Sequence, residues 1–92
     1  MAGKEQRTRE RWLSGLRAVM STRDGRRVVW ELLRFCRIFC SCFSPDSLST
    51  AYLEGKRDTG LWLYTDLMET APDLMETARK EAFKEAKEDG SE

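Results

Sequence analysis

The segment from Gly25 to Phe39 is apolar over most of the circumference that it would have as a helix. One stripe in this segment follows helical spacing and comprises Val28, Leu32, Phe35, Cys36 and Phe39. Three further apolar residues, Val29, Trp30 and Leu33, widen this stripe. Only a narrow arc of the helix surface then remains polar. Because a helix of this kind is normally covered on more than one side, the segment predicts the centre of a helical bundle.

Helical spacing of apolar residues recurs on both sides of this segment. A first amphipathic helix is predicted over about residues 4–21, with Trp12, Leu13, Leu16, Val19 and Met20 on its apolar side. A third is predicted over about residues 48–70, with a stripe of Leu48, Ala51, Tyr52, Gly55, Thr59, Trp62, Leu63 and Leu67. A fourth is predicted over about residues 72–87, with Ala78, Ala82, Phe83 and Ala86 inward. The sequence therefore predicts an all-α fold, a small bundle of three to four helices.

Turn-forming residues separate the predicted helices. Residues 22–25 form the first break, and Asp24 in this break can cap the second helix. A short Cys/Ser/Pro loop over residues 41–47 separates the second helix from the third, because Pro45 cannot continue a helix. Pro72 follows the third helix and suits the first turn of the fourth. The whole chain is expected to form one domain, with a basic helix over 1–21, a helical core over 24–83 and an acidic frayed tail over 84–92.

Two features of the third and fourth helices stand out. Gly55 and Gly60 lie inside the third helix and predict either a close helix approach or a bend. The hexapeptide Asp-Leu-Met-Glu-Thr-Ala begins at Asp66 and again at Asp73, on either side of Pro72. A spacing of seven residues places the two copies on the same side of a helix.

The balanced net charge hides a division between the two halves of the chain. Residues 1–40 carry ten Lys and Arg against four acids, whereas residues 41–92 carry six against twelve. Such a division is compatible with a nucleic-acid-binding face and an acidic tail. It is also compatible with docking of the two halves on each other or on copies of the chain. We favour docking, because electrostatic steering to nucleic acid benefits from a basic excess that the whole chain lacks.

Several kinds of site are not expected. The chain has no histidine, and its three cysteines, Cys36, Cys40 and Cys42, are one ligand short of a structural zinc site. No glycine-rich phosphate loop is present, and the serines lack a plausible general base. We therefore expect no catalytic residue, no metal and no cofactor, and hence no enzyme. Uncharged runs reach eight residues at most, over 38–45, so neither a membrane-spanning helix nor a secretion signal is expected.

The middle of the chain resembles a small family of tailed-bacteriophage proteins of unknown molecular role, first named from a Bordetella phage. The resemblance rests on the run Gly-Arg-Arg-Val-Val-Trp-Glu-Leu-Leu-Arg-Phe-Cys from Gly25 and on a later element, Glu54-Gly55-x-Arg57-x-x-Gly60. It extends over about residues 22–83, and Leu53 stands where the family pattern has an aromatic residue. The resemblance implies a gene from the virion-assembly region, and hence a virion-associated or assembly protein.

Two sets of residues are candidates for binding. For protein partners, either other phage structural or assembly proteins or the chain itself, the candidates are Trp12, Arg17, Arg26, Arg27, Trp30, Glu54, Arg57 and Trp62. The second helix would be fastened to the third by a pairing of Arg26 or Arg27 with Glu54 or Asp58. For nucleic acid, the alternative partner, the candidates are Arg7, Arg9, Arg11, Arg23, Arg26 and Arg27. Contact of the first helix with an anionic membrane surface is a weaker alternative. The expected location is the host cytoplasm during assembly, or the virion.

Overall fold

A computed structural model of the chain describes residues 3–39 and 47–90 and places four helices there. α1 spans Gly3–Met20, α2 spans Arg23–Phe35, α3 spans Ser47–Thr70 and α4 spans Pro72–Asp89. These two ranges contain no strand, so the all-α prediction of three to four helices is confirmed. The predicted loop over residues 41–47 lies outside the described residues, except for Ser47 at the start of α3. α4 ends slightly later than predicted.

Thr22, in the break between α1 and α2, is the N-cap of α2. Its hydroxyl accepts a hydrogen bond from the backbone N–H of Gly25 at 3.0 Å, and its backbone is extended, as in most N-caps. The prediction that Asp24 caps this helix is therefore wrong, because Asp24 already lies in the first helical turn. A Cβ at Gly25 would lie 1.9 Å from the carbonyl oxygen of Val19. This tight turn between α1 and α2 thus requires glycine at position 25.

α2 buries a different stripe from the predicted one. The buried residues are Val29, Leu33 and Cys36, together with Ile38 just after the helix. The predicted stripe was correct only at Cys36, since its other members are exposed: Val28, Leu32, Phe35 and Phe39. A helix that is apolar around most of its circumference offers several possible stripes. Its own sequence does not determine which one the neighbouring helices cover.

The end of α2 is fixed by a left-handed residue. Arg37 has φ 59°, the only positive value at a non-glycine residue in the described ranges. The N–H of Ile38 donates to the carbonyl of Leu33 at 3.5 Å, and the N–H of Arg37 donates to that of Arg34 at 3.0 Å. These two bonds form a Schellman motif, which usually has glycine at the position of Arg37. The accompanying apolar contact joins Ile38 and Leu33, both of which are buried.

The two glycines of α3 have different surroundings. A Cβ at Gly60 would lie 2.5 Å from the Cβ of Cys36 and 2.6 Å from the Cγ2 of Ile38. Gly60 therefore marks the close helix approach that the sequence allowed for, at the end of α2. A Cβ at Gly55, in contrast, would meet nothing within 4 Å. α3 runs without a break through both positions.

The inward sides of α3 and α4 also differ from the predictions. On α3, Leu67 is buried as predicted, but Tyr52 and Trp62 are 64% and 58% exposed. The helix carries apolar residues on two sides, and the side with Gly60 faces the core. On α4, Ala78 is buried as predicted, whereas Phe83 is 63% exposed. Of the other predicted residues, Ala51, Gly55, Thr59 and Ala86 are exposed, and Leu63 and Ala82 are partly buried. The side chain of Leu48 lies outside the described part of the structure.

The four helices form a flat molecule with a thin core. Its principal extents are 51 × 37 × 15 Å. The radius of gyration is 15.7 Å, whereas a compact domain of this length has about 12 Å. The core consists of Leu16, Met20, Val29, Leu33, Cys36, Ile38, Leu67, Ala71, Met75 and Ala78. Because the molecule is thin, many large apolar side chains lie outside this core.

Candidate interaction surface

Asp66 joins α1 to α3. It is 4% exposed and is the one buried charged residue of the described chain. Its carboxylate accepts hydrogen bonds from Arg9 at 2.8 and 3.3 Å and from the indole N–H of Trp12 at 2.8 Å. These donors lower the pKa of Asp66, with Arg9 as the larger cause. Arg9 also pairs with Glu69 at 2.9 Å.

A second set of contacts continues this seam along α1 to the end of α3 and onto the first turn of α4, where Asp73 lies. Arg17 pairs with Asp73 at 3.2 Å and also donates to the backbone carbonyl of Thr70 at 2.8 Å. The hydroxyl of Thr70 in turn donates to the carbonyl of Leu13 at 3.2 Å. Because contacts further along α1 meet residues further along α3, the two helices run side by side in the same direction. The repeated hexapeptide supplies both carboxylates, from Asp66 and Asp73.

α2 is fastened to α4. Arg26 donates to both carboxylate oxygens of Glu81, at 2.8 and 2.9 Å, and to the carbonyl of Met20 at 3.0 Å. The hydrogen bonds from Arg26 lower the pKa of Glu81. Arg27 pairs with Glu85 at 3.5 Å. The predicted pairing of these arginines with Glu54 or Asp58 is therefore wrong, because α4 rather than α3 lies beside the start of α2.

These ion pairs account for the charge division of the sequence. The pairs between helices each join an arginine from the basic half to a carboxylate from the acidic half. The two halves therefore dock on each other, as the charge division predicted. Arg9, Arg26 and Arg27, three of the nucleic-acid candidates, are engaged in this docking. The other three, Arg7, Arg11 and Arg23, are exposed.

The three candidate tryptophans lie in two separate aromatic groups. Trp12 and Trp62 stack at 5.4 Å between ring centroids, and the other side of Trp62 faces outward. Trp30 is half-buried and stacks on Phe39 at 5.1 Å. Phe39 then meets the edge of Tyr64 at 6.1 Å. The structure therefore leaves Trp62 as the most accessible of the three.

Glu54 and Arg57, the candidates from the glycine-containing element of α3, point in different directions. Glu54 is exposed. Arg57 donates to the carbonyl of Ile38 at 3.3 Å, and its Nε is buried without a hydrogen-bond partner. Arg57 thus helps to hold the turn after α2, next to Gly60, rather than presenting its charge to solvent.

The sequence interpretation missed an exposed apolar stripe on α2, because it placed these side chains in the core. Val28, Leu32 and Phe35 lie on one side of the helix and are 66%, 47% and 62% exposed. We call these three residues the α2 outer stripe. The Nζ of Lys56 lies 4.1 Å from the ring centroid of Phe35 and 5.2 Å from that of Tyr52, which extends the stripe onto α3. The signal for this stripe is the helical spacing of Val28, Leu32 and Phe35, which by itself does not distinguish an exposed apolar face from a buried one.

The last features of the described residues concern metal ligands, the cysteines and the length of the helices. Residues 3–39 and 47–90 contain no group of three or more Cys, Asp or Glu side chains placed to hold a metal ion. Cys36 is buried with a free thiol, and Cys40 and Cys42 lie outside the described residues. None of the four helices, over its described length, is both long and apolar enough to cross a bilayer.

Comparison with known protein families gives a match. The family model described as Bbp19-like phage protein matches residues 16–81, which is more than two thirds of the chain. The matched span includes the end of α1, all of α2 and α3, and the first half of α4. It agrees with the span of the resemblance found in the sequence. No curated protein and no solved structure matches the chain.

Proposed function

Because the chain belongs to the Bbp19-like phage protein family, we propose that this phage protein acts in or on the virion during assembly. It does so by binding other phage structural or assembly proteins, without catalysing a reaction. Its locations in this proposal are the host cytoplasm during assembly and the assembled particle.

The observation that carries the proposal is the α2 outer stripe. Val28, Leu32 and Phe35 are neighbours on one helix side, and each leaves about half or more of its surface in solvent. Contiguous apolar surface of this kind is typical of protein–protein interaction sites, whereas scattered exposed apolar residues are ordinary. Side chains at three- and four-residue spacing also suit a partner helix that packs along α2.

The surroundings of the stripe support the same function. Arg27, Glu31 and Arg34 lie on the exposed arc beside it, and Arg34 pairs with Glu31 at 3.3 Å. An apolar centre with a polar and arginine-containing rim is the usual composition of an interface between proteins. The internal pairing of Arg9, Arg26 and their acidic partners leaves a smaller basic surface for nucleic acid.

Complementation of a phage that lacks the gene tests this proposal. Plasmid-borne wild-type protein should restore the titre of plaque-forming particles, and mass spectrometry of the purified virions should show whether the protein enters them. Phe35→Glu removes an aromatic ring from the α2 outer stripe and places a charge there, so it should abolish the rescue, because burial of a charge in an apolar interface costs free energy.

Phe83→Glu is the matched control for Phe35→Glu. Phe83 on α4 is exposed to a similar extent, at 63% against 62%, and also has a cation over its ring, from Arg79 at 5.5 Å. It lies outside the stripe, so Phe83→Glu should rescue as well as wild type. Equal rescue by Phe35→Glu would refute the role of the stripe. A phage that assembles normally without the gene would refute the assembly function.

A further inference from the structure

The exposed side of α1 is basic and contains a shallow concavity. Lys4, Arg7 and Arg11 follow helical spacing on this side and are exposed, and none of them takes part in an ion pair within the described residues. Small residues continue the same side, and the concavity is lined by Arg7, Glu10, Arg11, Ser14, Gly15 and Ala18. We call this side, from Lys4 to Ala18, the α1 outer face.

Gly15 leaves the floor of this concavity open. A Cβ at Gly15 would meet nothing within 4 Å, so no contact inside the molecule requires glycine there. Glycine in the middle of a helix also lowers its stability relative to alanine. What Gly15 provides is space on the outside of α1, at a point lined by the guanidinium groups of Arg7 and Arg11 and by the carboxylate of Glu10.

The exposed side of α3 has the opposite charge and an aromatic projection. Ala51, Gly55, Asp58 and Trp62 follow one another at four-, three- and four-residue intervals, and all four are exposed. Glu54 lies beside them, and neither Glu54 nor Asp58 has an ion-pair partner in the described chain. We call this side, from Ala51 to Trp62, the α3 outer face. Trp62 is 58% exposed, although its ring also stacks on Trp12 of the same copy.

We propose that the α3 outer face of one copy of this chain docks on the α1 outer face of another copy. Trp62 fills the concavity above Gly15, where the guanidinium groups of Arg7 and Arg11 can stack on the indole. The unpaired Glu54 and Asp58 then meet the unpaired basic residues of α1. Charge complementarity between two faces of the same chain, together with a balanced net charge, makes a second copy the fitting occupant.

Sedimentation velocity of the purified full-length chain, over a micromolar concentration series at low and high salt, tests this contact. Wild-type protein should self-associate, and salt should weaken the association. Reversing the charge of either face, by the double variants Arg7→Glu/Arg11→Glu or Glu54→Lys/Asp58→Lys, should weaken it by about tenfold or more, since like charges then oppose each other.

Mixing the two charge-reversed proteins is the decisive measurement. Each reversed face then finds a complementary face on the other variant, so the mixture should associate although each variant alone does so poorly. Lys80→Glu/Lys84→Glu on α4 is the control for Arg7→Glu/Arg11→Glu, because it makes the same change in net charge with two exposed lysines outside both faces. This control should associate like wild type.

Gly15→Leu tests the concavity without weakening the fold. The open space at position 15 accepts the side chain, and leucine favours the helix, so the melting temperature should not fall. The filled concavity should nevertheless exclude Trp62 and abolish the association. Monomeric wild-type protein throughout the series, undisturbed association of Gly15→Leu, or a mixture that fails to associate would overturn the proposal. Binding of duplex DNA through Arg7 and Arg11 by a protein that stays monomeric would also overturn it.

These results are separate from the outcome of phage complementation. The α2 outer stripe contributes no residue to either outer face. Loss of self-association with intact complementation would therefore leave the proposed function standing, and the reverse result would leave the self-association standing.

Discussion

Gly60 and Gly55 provide a matched pair of alanine substitutions within one helix. Both positions lie inside α3, and alanine is favoured over glycine in a helix interior by about 1 kcal/mol. At Gly55 nothing lies within 4 Å of the added Cβ, so Gly55→Ala should show this gain alone. For a domain of this size, a gain of 1 kcal/mol raises the melting temperature by about 4–8 °C.

Gly60→Ala should have the opposite effect. The added Cβ would lie 2.5 Å from the Cβ of Cys36, whereas carbon atoms in contact are about 3.5–4.0 Å apart. The Cβ of Cys36 is bonded directly to the backbone and cannot rotate away, so α3 and the end of α2 must separate by about 1 Å. Overpacking of this kind costs about 1–3 kcal/mol. After the helical gain is subtracted, Gly60→Ala should destabilise the protein by up to about 2 kcal/mol.

Thermal unfolding followed by circular dichroism measures both variants. Both variants replace glycine by alanine in the same helix. The difference between their melting temperatures therefore isolates the contact of α3 with Cys36 and Ile38. A Gly60→Ala protein that melts as high as Gly55→Ala would refute this close approach, and with it the position of α2 relative to α3.

Further predictions concern the end of α2, the internal ion pairs and nucleic acid. Arg37→Gly should raise stability by about 1 kcal/mol, since it removes the left-handed strain at φ 59°, and an unchanged melting temperature would contradict the Schellman ending. The folded-state pKa values of Asp66 and Glu81 are lowered, so their contribution to stability is complete above the unfolded values and lost as pH falls below about 4. Melting temperature measured against pH should show this loss, and Asp66→Asn should lose less on acidification than wild type. The α1 outer face should give no gel shift with duplex DNA; a shift that disappears between about 50 and 200 mM salt would instead favour the nucleic-acid alternative.

The helices could be predicted from the sequence because their signals are local. Apolar spacing set the four segments, and Pro72 marked the start of α4. The inward side of each helix was less predictable. On α2, Val28 and Val29 begin stripes of similar apolarity, and only the positions of the other helices decide that Val29 is buried. The same ambiguity on α3 put Trp62, which is 58% exposed, in the predicted apolar stripe.

The sequence predicted which halves of the chain would attract each other, but not which residues would form the ion pairs. The charge division indicated that basic residues of the first half would meet acids of the second half, and the ion pairs follow this rule. The predicted partner of Arg26 was wrong, because the actual partner depends on which helix lies beside the start of α2. The sequence near Arg26 does not indicate that Glu81, 55 residues later, lies beside the start of α2. The repeated Asp66 and Asp73, matched by Arg9 and Arg17 at nearly the same spacing on α1, were the available signal for the contacts of α1 with α3 and with the start of α4.

The α2 outer stripe is apolar, whereas the α1 and α3 outer faces are charged. The ion pairs that hold the halves together remove part of the basic and acidic side chains from long-range interactions, and the α2 outer stripe is left as an apolar surface. Binding there depends on burial of Val28, Leu32 and Phe35, so it should respond weakly to salt. The contact between the α1 and α3 outer faces depends on unpaired opposite charges, so salt should weaken it. Salt therefore separates the two surfaces in one protein: a partner that stays bound at high salt, while the copies of the chain dissociate, must be held by α2.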